Sequence, residues 1–214
     1  NFFLKKNKKL YLSFFSKTKG DNEALEFVKK ITNASKIDYK PLSSEENSLR
    51  DTVGIIIAAS GNEKRWSIKN YLKVIKFLTE KNYKKFLIIS GLDQSKEEEL
   101  INENFRDTID VTFTADKKIN DVIPYLKRCK FCIGNDTGFS HLSVNLDIET
   151  MVIQGDCPPQ TYSKLLKHID IEPDVTRSST SIHTIKAEKV LDELSNFLNR
   201  RGGRVVEGAR LESV

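Results

Sequence analysis

Residues 52–91, "TVGIIIAASGNEKRWSIKNYLKVIKFLTEKNYKKFLIISG", decide the fold class. The stretch opens with a continuous apolar run, "TVGIIIAA" (52–59), and closes with another, "KFLIISG" (85–91). Between them lies "SIKNYLKVIKFLTEKN" (67–82), whose apolar residues recur at helical spacing. Strand, amphipathic helix and strand in this order form a unit whose strands run parallel. A strand that is apolar throughout is covered on both faces.

The pattern continues downstream. Helices are predicted at 95–105, 119–128, 138–146 and 181–198, and strands at 109–114, 130–134 and 149–155. Acidic residues crowd the start of the 95–105 helix, where the macrodipole favours them. Pro124 is expected in the first turn of its helix, where a missing N–H costs nothing. Alternation of this kind defines a doubly wound α/β domain. Such domains bind ligands beyond the carboxyl ends of their strands. The informative loops are therefore 60–66, 91–94, 115–118, 134–138 and 155–160.

Upstream, 9–15 reads as a strand, 22–33 as a helix and 34–51 as a polar linker. Downstream of the last helix, "RRGGRVVEGARLESV" (200–214) has no clear core face and reads as a non-native or disordered tail. The chain opens on Asn1 and reads as part of a longer product.

Composition narrows the function classes. The apolar fraction of 38% is low, but the apolar residues cluster into the runs above, so the chain folds. No run approaches the ~20 residues needed to span a bilayer, and no signal-peptide core is present. The net charge of +5 is concentrated in residues 1–40, with ten lysines against four acids. That segment suits an anionic surface, or is simply a solvated lysine-rich face. No arginine stripe with interleaved aromatics marks a nucleic-acid partner. Cys129 and Cys132 form a lone C-x-x-C flanking an apolar strand, without the second ligand pair a zinc site needs. Free thiols point to a reducing, cytoplasmic setting.

Four loops carry polar chemistry. In "ASGNEKRW" (59–66), Ser60 and Lys64 suit phosphate oxygens, Gly61 allows a turn, and Trp66 anchors the following helix. The alternative is an ordinary strand-to-helix turn. In "SGLDQS" (90–95), Asp93 suits ribose hydroxyls or caps a turn. In "GNDTGFSHL" (134–142), Asp136 reads as a helix cap, while Thr137 and Gly138 present N–H groups at the positive end of the helix, suited to a diphosphate. His141 lies one turn further in. "QGDCPP" (154–159) is a rigid loop on the same edge, either a pocket wall or a plain turn. No P-loop, G-x-G-x-x-G or G-x-S-x-G is present.

Taken together, "GNEKRWSIKNYLKVIKFL", "LIISGLDQS", "IGNDTGFSHLSVNLD" and "MVIQGDCPP" resemble glycosyltransferase family 9, the lipopolysaccharide heptosyltransferases, over roughly residues 52–199. The resemblance implies a GT-B fold, with residues 51–199 as its C-terminal, Rossmann-like donor-binding domain and residues 1–50 as a remnant of the acceptor domain plus linker. It implies that Asp136, Thr137 and Gly138 hold the donor diphosphate and sugar, supported by His141, that Ser60 and Lys64 bind phosphates, and that Asp93 lies near the ribose. Glutamate is common in the family at the Asp93 position, and threonine at the Ser60 position.

The implied reaction is inverting transfer of a sugar, heptose in this family, from a nucleotide-sugar such as ADP-heptose to a lipid-linked lipopolysaccharide core acceptor. The family's general base precedes the matched region, so no catalytic residue is assigned here. No metal or cofactor is expected. The family setting implies a monomer at the cytoplasmic face of the inner membrane. The alternatives are a non-catalytic nucleotide-binding module and a nucleotide-sugar epimerase of GT-B fold.

Overall fold

The computed structural model describes residues 50–210, with side chains through Arg201. The strand expected at 9–15, the helix at 22–33, the linker up to residue 49 and residues 211–214 lie outside the described residues.

Six parallel strands form one sheet: β1 (Thr52–Ile56), β2 (Lys85–Ile89), β3 (Asp110–Phe113), β4 (Cys129–Asn135), β5 (Thr150–Gln154) and β6 (Leu166–Asp170), in the order β3-β2-β1-β4-β5-β6. The helices are α1 (Ile68–Glu80), α2 (Ser95–Phe105), α3 (Ile119–Leu126), α4 (Gly138–Asn145) and α5 (Ala187–Arg210). The direction of winding reverses between β1 and β4, and that reversal opens a crevice at the carboxyl edge.

Side-chain alternation divides the core in two. Val53, Ile55, Phe86, Ile88, Phe131, Ile133, Met151 and Ile153 face a layer that includes Tyr71, Val74, Ile75 and Leu78 of α1 and Val190, Leu194 and Phe197 of α5. Ile56, Leu87, Ile89 and Cys132 face Val122 and Leu126 of α3 and Leu146 and Ile148 after α4. Both covered faces explain the unbroken apolar runs in the sequence. They also absorb Cys129 and Cys132, each fully buried among apolar side chains.

Register sets the crevice. Gly134 pairs with Ile56, and a Cβ there would run into the Ile56 carbonyl, so only glycine lets β4 lie this close to the end of β1. Asn135, immediately after it, is fully buried and hydrogen-bonded on both ends of its amide.

Several expectations are corrected. β6 was not anticipated: it is an edge strand in which only Leu166 and Ile169 are buried, with Lys167 and His168 between them. Pro124 lies near the end of α3, which stops two residues later at Leu126, and not in its first turn. The closing helix begins at Ala187, after a 3₁₀ turn at Ser181–Thr184, and runs to Arg210. Arg201 belongs to the packed fold, although it falls within the segment expected to be a tail. Its guanidinium pairs with Glu149, donates to the Lys130 carbonyl at 3.2 Å and lies 5.5 Å from the Phe197 ring centroid.

Candidate functional site

The site grows from the ends of β1, β4 and β5. After β1, residues Asn62–Lys64 form a 3₁₀ turn. Trp66 closes it: the ring is 2% exposed, meets Tyr71 edge-on at 5.0 Å and donates from Nε1 to the Ile185 carbonyl at 2.7 Å. Gly61 is not needed for an unusual turn. Its φ of −166° is extended backbone open to any residue.

Asn135 holds this loop against β4. Its Oδ1 accepts from the Trp66 backbone N–H at 3.1 Å and from the Tyr71 hydroxyl at 2.9 Å, and its Nδ2 donates to the Ile57 carbonyl at 2.8 Å. Burial raises the Tyr71 hydroxyl pKa, which keeps it a donor. Asn135 was missed in the sequence. The available signal was a polar side chain directly continuing a buried strand, since such a group must find partners.

The mouth of α4 departs from the sequence reading in one respect. Asp136 does not cap the helix. The N-cap is Thr137, and it makes no side-chain cap bond. The Asp136 carboxylate instead takes His141 Nε2 on Oδ1 at 3.0 Å, and its Oδ2 lies 3.7 Å from the Cys157 thiol. The other ring nitrogen of His141 meets the Tyr162 hydroxyl at 2.6 Å. Thr137 Oγ1 is shielded from solvent yet has no hydrogen-bond partner. Gly138 is exposed, and a Cβ built on it would touch nothing within 4 Å. The helix start therefore presents an unfilled positive end next to an orphaned hydroxyl.

Opposite stands Lys64, whose ammonium binds Asp156 at 2.7 Å. That carboxylate raises the lysine's pKa. Burial pushes the Asp156 carboxyl up, but hydrogen bonds from Lys64 and Cys157 outweigh it and leave it below the ordinary range. Lys64, Asp136, Gln154, Asp156 and Ser179 line one cleft. Asp136, Asp156 and Cys157 also place ligand atoms within 4.8 Å of one another. Lys64 already compensates Asp156, and burial drives the Cys157 thiol up to about 12, so it stays protonated at neutral pH.

The remaining predicted residues sit apart from this knot. Ser60 is exposed at the loop tip. Asp93, after β2, forms a two-oxygen ion pair with Arg65 Nη2 at 2.7 and 3.0 Å. The structure thus brings Lys64, Asp136, Thr137, Gly138 and His141 to one mouth, with Asp93 facing Arg65 at the other side of the β1 loop.

Comparison with known proteins now meets a defined geometry. The family model for glycosyltransferase family 9 (heptosyltransferase) matches residues 11–185. The chain belongs to glycosyltransferase family 9. Among solved structures, it resembles the Escherichia coli heptosyltransferase WaaC with ADP, at 17% identity and a TM-score of 0.59 over 71% of this chain and 45% of WaaC. It also resembles E. coli ADP-heptose lps heptosyltransferase II, at 17% identity and 0.60 over 91% and 54%. A family 9 glycosyl transferase from Veillonella parvula DSM 2008 gives 15% identity and 0.61 over 84% and 51%. The chain thus spans about half the length of these proteins. At such identities the likeness shows the fold, the Rossmann-like sheet of GT-B glycosyltransferases. No curated protein matches the chain.

Proposed function

We propose that this family 9 chain supplies the donor-binding domain of an inverting glycosyltransferase, which transfers heptose from ADP-heptose to a lipid-linked lipopolysaccharide core acceptor. The observation that carries the reading is the uncapped start of α4: the orphaned Thr137 hydroxyl and the open face of Gly138 directly follow Asp136, which lines one cleft with Lys64 at the switch point of the sheet. That is a place for a diphosphate. The ADP bound in the WaaC structure supports an adenine nucleotide.

In the proposed reaction the acceptor hydroxyl attacks the anomeric carbon and loses its proton to a general base from the acceptor-binding half. The bond from that carbon to the diphosphate oxygen breaks, and the nucleoside diphosphate leaves with the electron pair. Residues of this chain act on the leaving group. Lys64 and the N–H groups at 137–138 receive the developing negative charge. Thr137 Oγ1 donates to a phosphate oxygen, and Asp136, held by His141, faces the sugar. Ser60 adds a phosphate contact and Asp93 lies by the ribose. No metal is required, because lysine and helix dipole supply the positive charge. The setting proposed is a monomer at the cytoplasmic side of the inner membrane. The described residues contain no helix long and apolar enough to cross a membrane.

Calorimetric titration with ADP, UDP and ADP-heptose tests this. The expected result is binding of the adenine nucleotides, weakened roughly 10- to 100-fold by Lys64→Ala, the loss of one charged hydrogen bond. Equal binding of all three by the wild type and Lys64→Ala, or no binding by the folded chain, refutes it.

A further inference from the structure

The sequence suggests that Asp136 caps α4, yet the structure turns its carboxylate away. A carboxylate at that N-cap would fill the anion site and repel a diphosphate. What holds it off is a chain of two hydrogen bonds: Asp136 Oδ1 to His141 Nε2 at 3.0 Å, and His141 Nδ1 to the Tyr162 hydroxyl at 2.6 Å.

The direction of the chain follows from donor inventory. An ionised carboxylate only accepts, so Nε2 of a neutral ring must carry the proton. Nδ1 then offers a lone pair, and a hydroxyl that donates is its complement. Tyr162 is well placed for this. It packs on the small apolar cluster of Val144, Val152 and Leu166, and its ring centroid lies 5.7 Å from that of His141. Cys157, the second group on Asp136, stays a thiol and gives only a weak donor at 3.7 Å.

We propose that Tyr162 is a positioning residue of the donor site: its hydroxyl fixes His141 as the Nε2–H tautomer, and the ring in turn holds Asp136 away from the start of α4 so that a diphosphate can bind there. The proposal rests on the donor-site reading above. Without the tyrosine hydroxyl, the ring is free to take the Nδ1–H form. Asp136 then loses its donor and turns onto the open N–H groups.

The test uses ¹⁵N–¹H correlation of the His141 ring in the nucleotide-free chain, at about pH 8, where imidazoles are neutral. The wild type is expected to show a protonated Nε2 and a hydrogen-bonded, unprotonated Nδ1. Tyr162→Phe should let the Nδ1–H form appear, which moves the Nδ1 resonance upfield toward the protonated range, and should weaken ADP binding about threefold to tenfold, the size of one hydrogen bond. Asp136→Asn tests the chain from its other end: the amide oxygen still accepts from Nε2–H and Tyr162 still donates to Nδ1, so the ring should stay in the Nε2–H form. A wild-type ring in the Nδ1–H form overturns the proposal. So does a Tyr162→Phe chain with unchanged ring resonances and unchanged affinity, and so does an Nδ1–H ring in Asp136→Asn. Failure of the wild type to bind ADP refutes the donor reading and the positioning role with it, whereas the ring spectrum still reports whether the hydrogen-bond chain exists.

Discussion

Two acid–base pairs stand on either side of the β1 loop and differ in almost every respect. Asp93 and Arg65 meet at 2.7 Å, but the aspartate side chain is 64% exposed. Asp136 and His141 meet at 3.0 Å with only 17% and 14% of their side chains exposed. The first pair is a surface ion pair, weakened by water and salt. The second is one link in a chain that runs from Asp136 through His141 to the Tyr162 hydroxyl. Precision at a binding site comes from the second kind, because each group there is fixed by a partner that is itself fixed.

The largest expected effect comes from Asn135, the fully buried residue just before Asp136. Asn135→Ala strands the Trp66 N–H and the Ala58 carbonyl of the β1 loop and leaves the Ile57 carbonyl to Gln94. Its expected cost is roughly 2–4 kcal/mol, read by denaturant unfolding. A loss below about 1 kcal/mol would mean the loop is not anchored there. Next in size is Lys64→Ala, with the binding loss given above and little loss of stability, since its ion pair is partly exposed.

The acid limb offers a subtler contrast. The Asp156 carboxyl is held below its ordinary value, chiefly by Lys64 against the opposing effect of burial. Its stabilising contribution is therefore complete above the unfolded value near ~3.9 and is lost as pH falls through the lower folded value. Unfolding curves below about pH 4 should show this loss in the wild type and a smaller one in Lys64→Ala. Identical acid limbs would show that the pair does not couple to folding. Smallest of all is Asp93→Asn, where the Arg65 bond holds the carboxyl below its ordinary value but solvent screens the pair. Stability should be unchanged within experimental error and any loss of nucleotide affinity slight. A large loss would move the exposed pair into the binding network.

These differences also explain what could be read in the sequence. β1, β2, β4 and β5 were legible because a strand covered on both faces must be apolar throughout. β6 was not, because this edge strand buries only Leu166 and Ile169 and sets Lys167 and His168 between them, and five such residues resemble a loop. The mouth of α4 was visible as a cluster of hydroxyl, glycine, acid and histidine. Its wiring was not: a short acid before a helix reads as a cap, and only the fold reveals that His141 reaches back to claim it. Tyr162 lies in an irregular segment after Pro158 and Pro159, where no periodicity indicates a direction. Arg201 was dismissed with the polar residues around it, although the aromatic rings of Phe131 and Phe197 receive it.

The central claim is that the start of α4 is shaped for a diphosphate and not for the protein's own packing. Gly138→Ala tests it most directly, because the added methyl group meets nothing within 4 Å in the ligand-free chain. Stability should hold or rise by up to about 1 kcal/mol, as for glycine replaced within a helix. The measurement is ADP titration of this variant beside the wild type. The account predicts binding by the wild type and a loss of at least about tenfold in the variant, since the methyl would occupy the space of a phosphate oxygen. A stable Gly138→Ala chain that binds ADP as tightly as the wild type would contradict it.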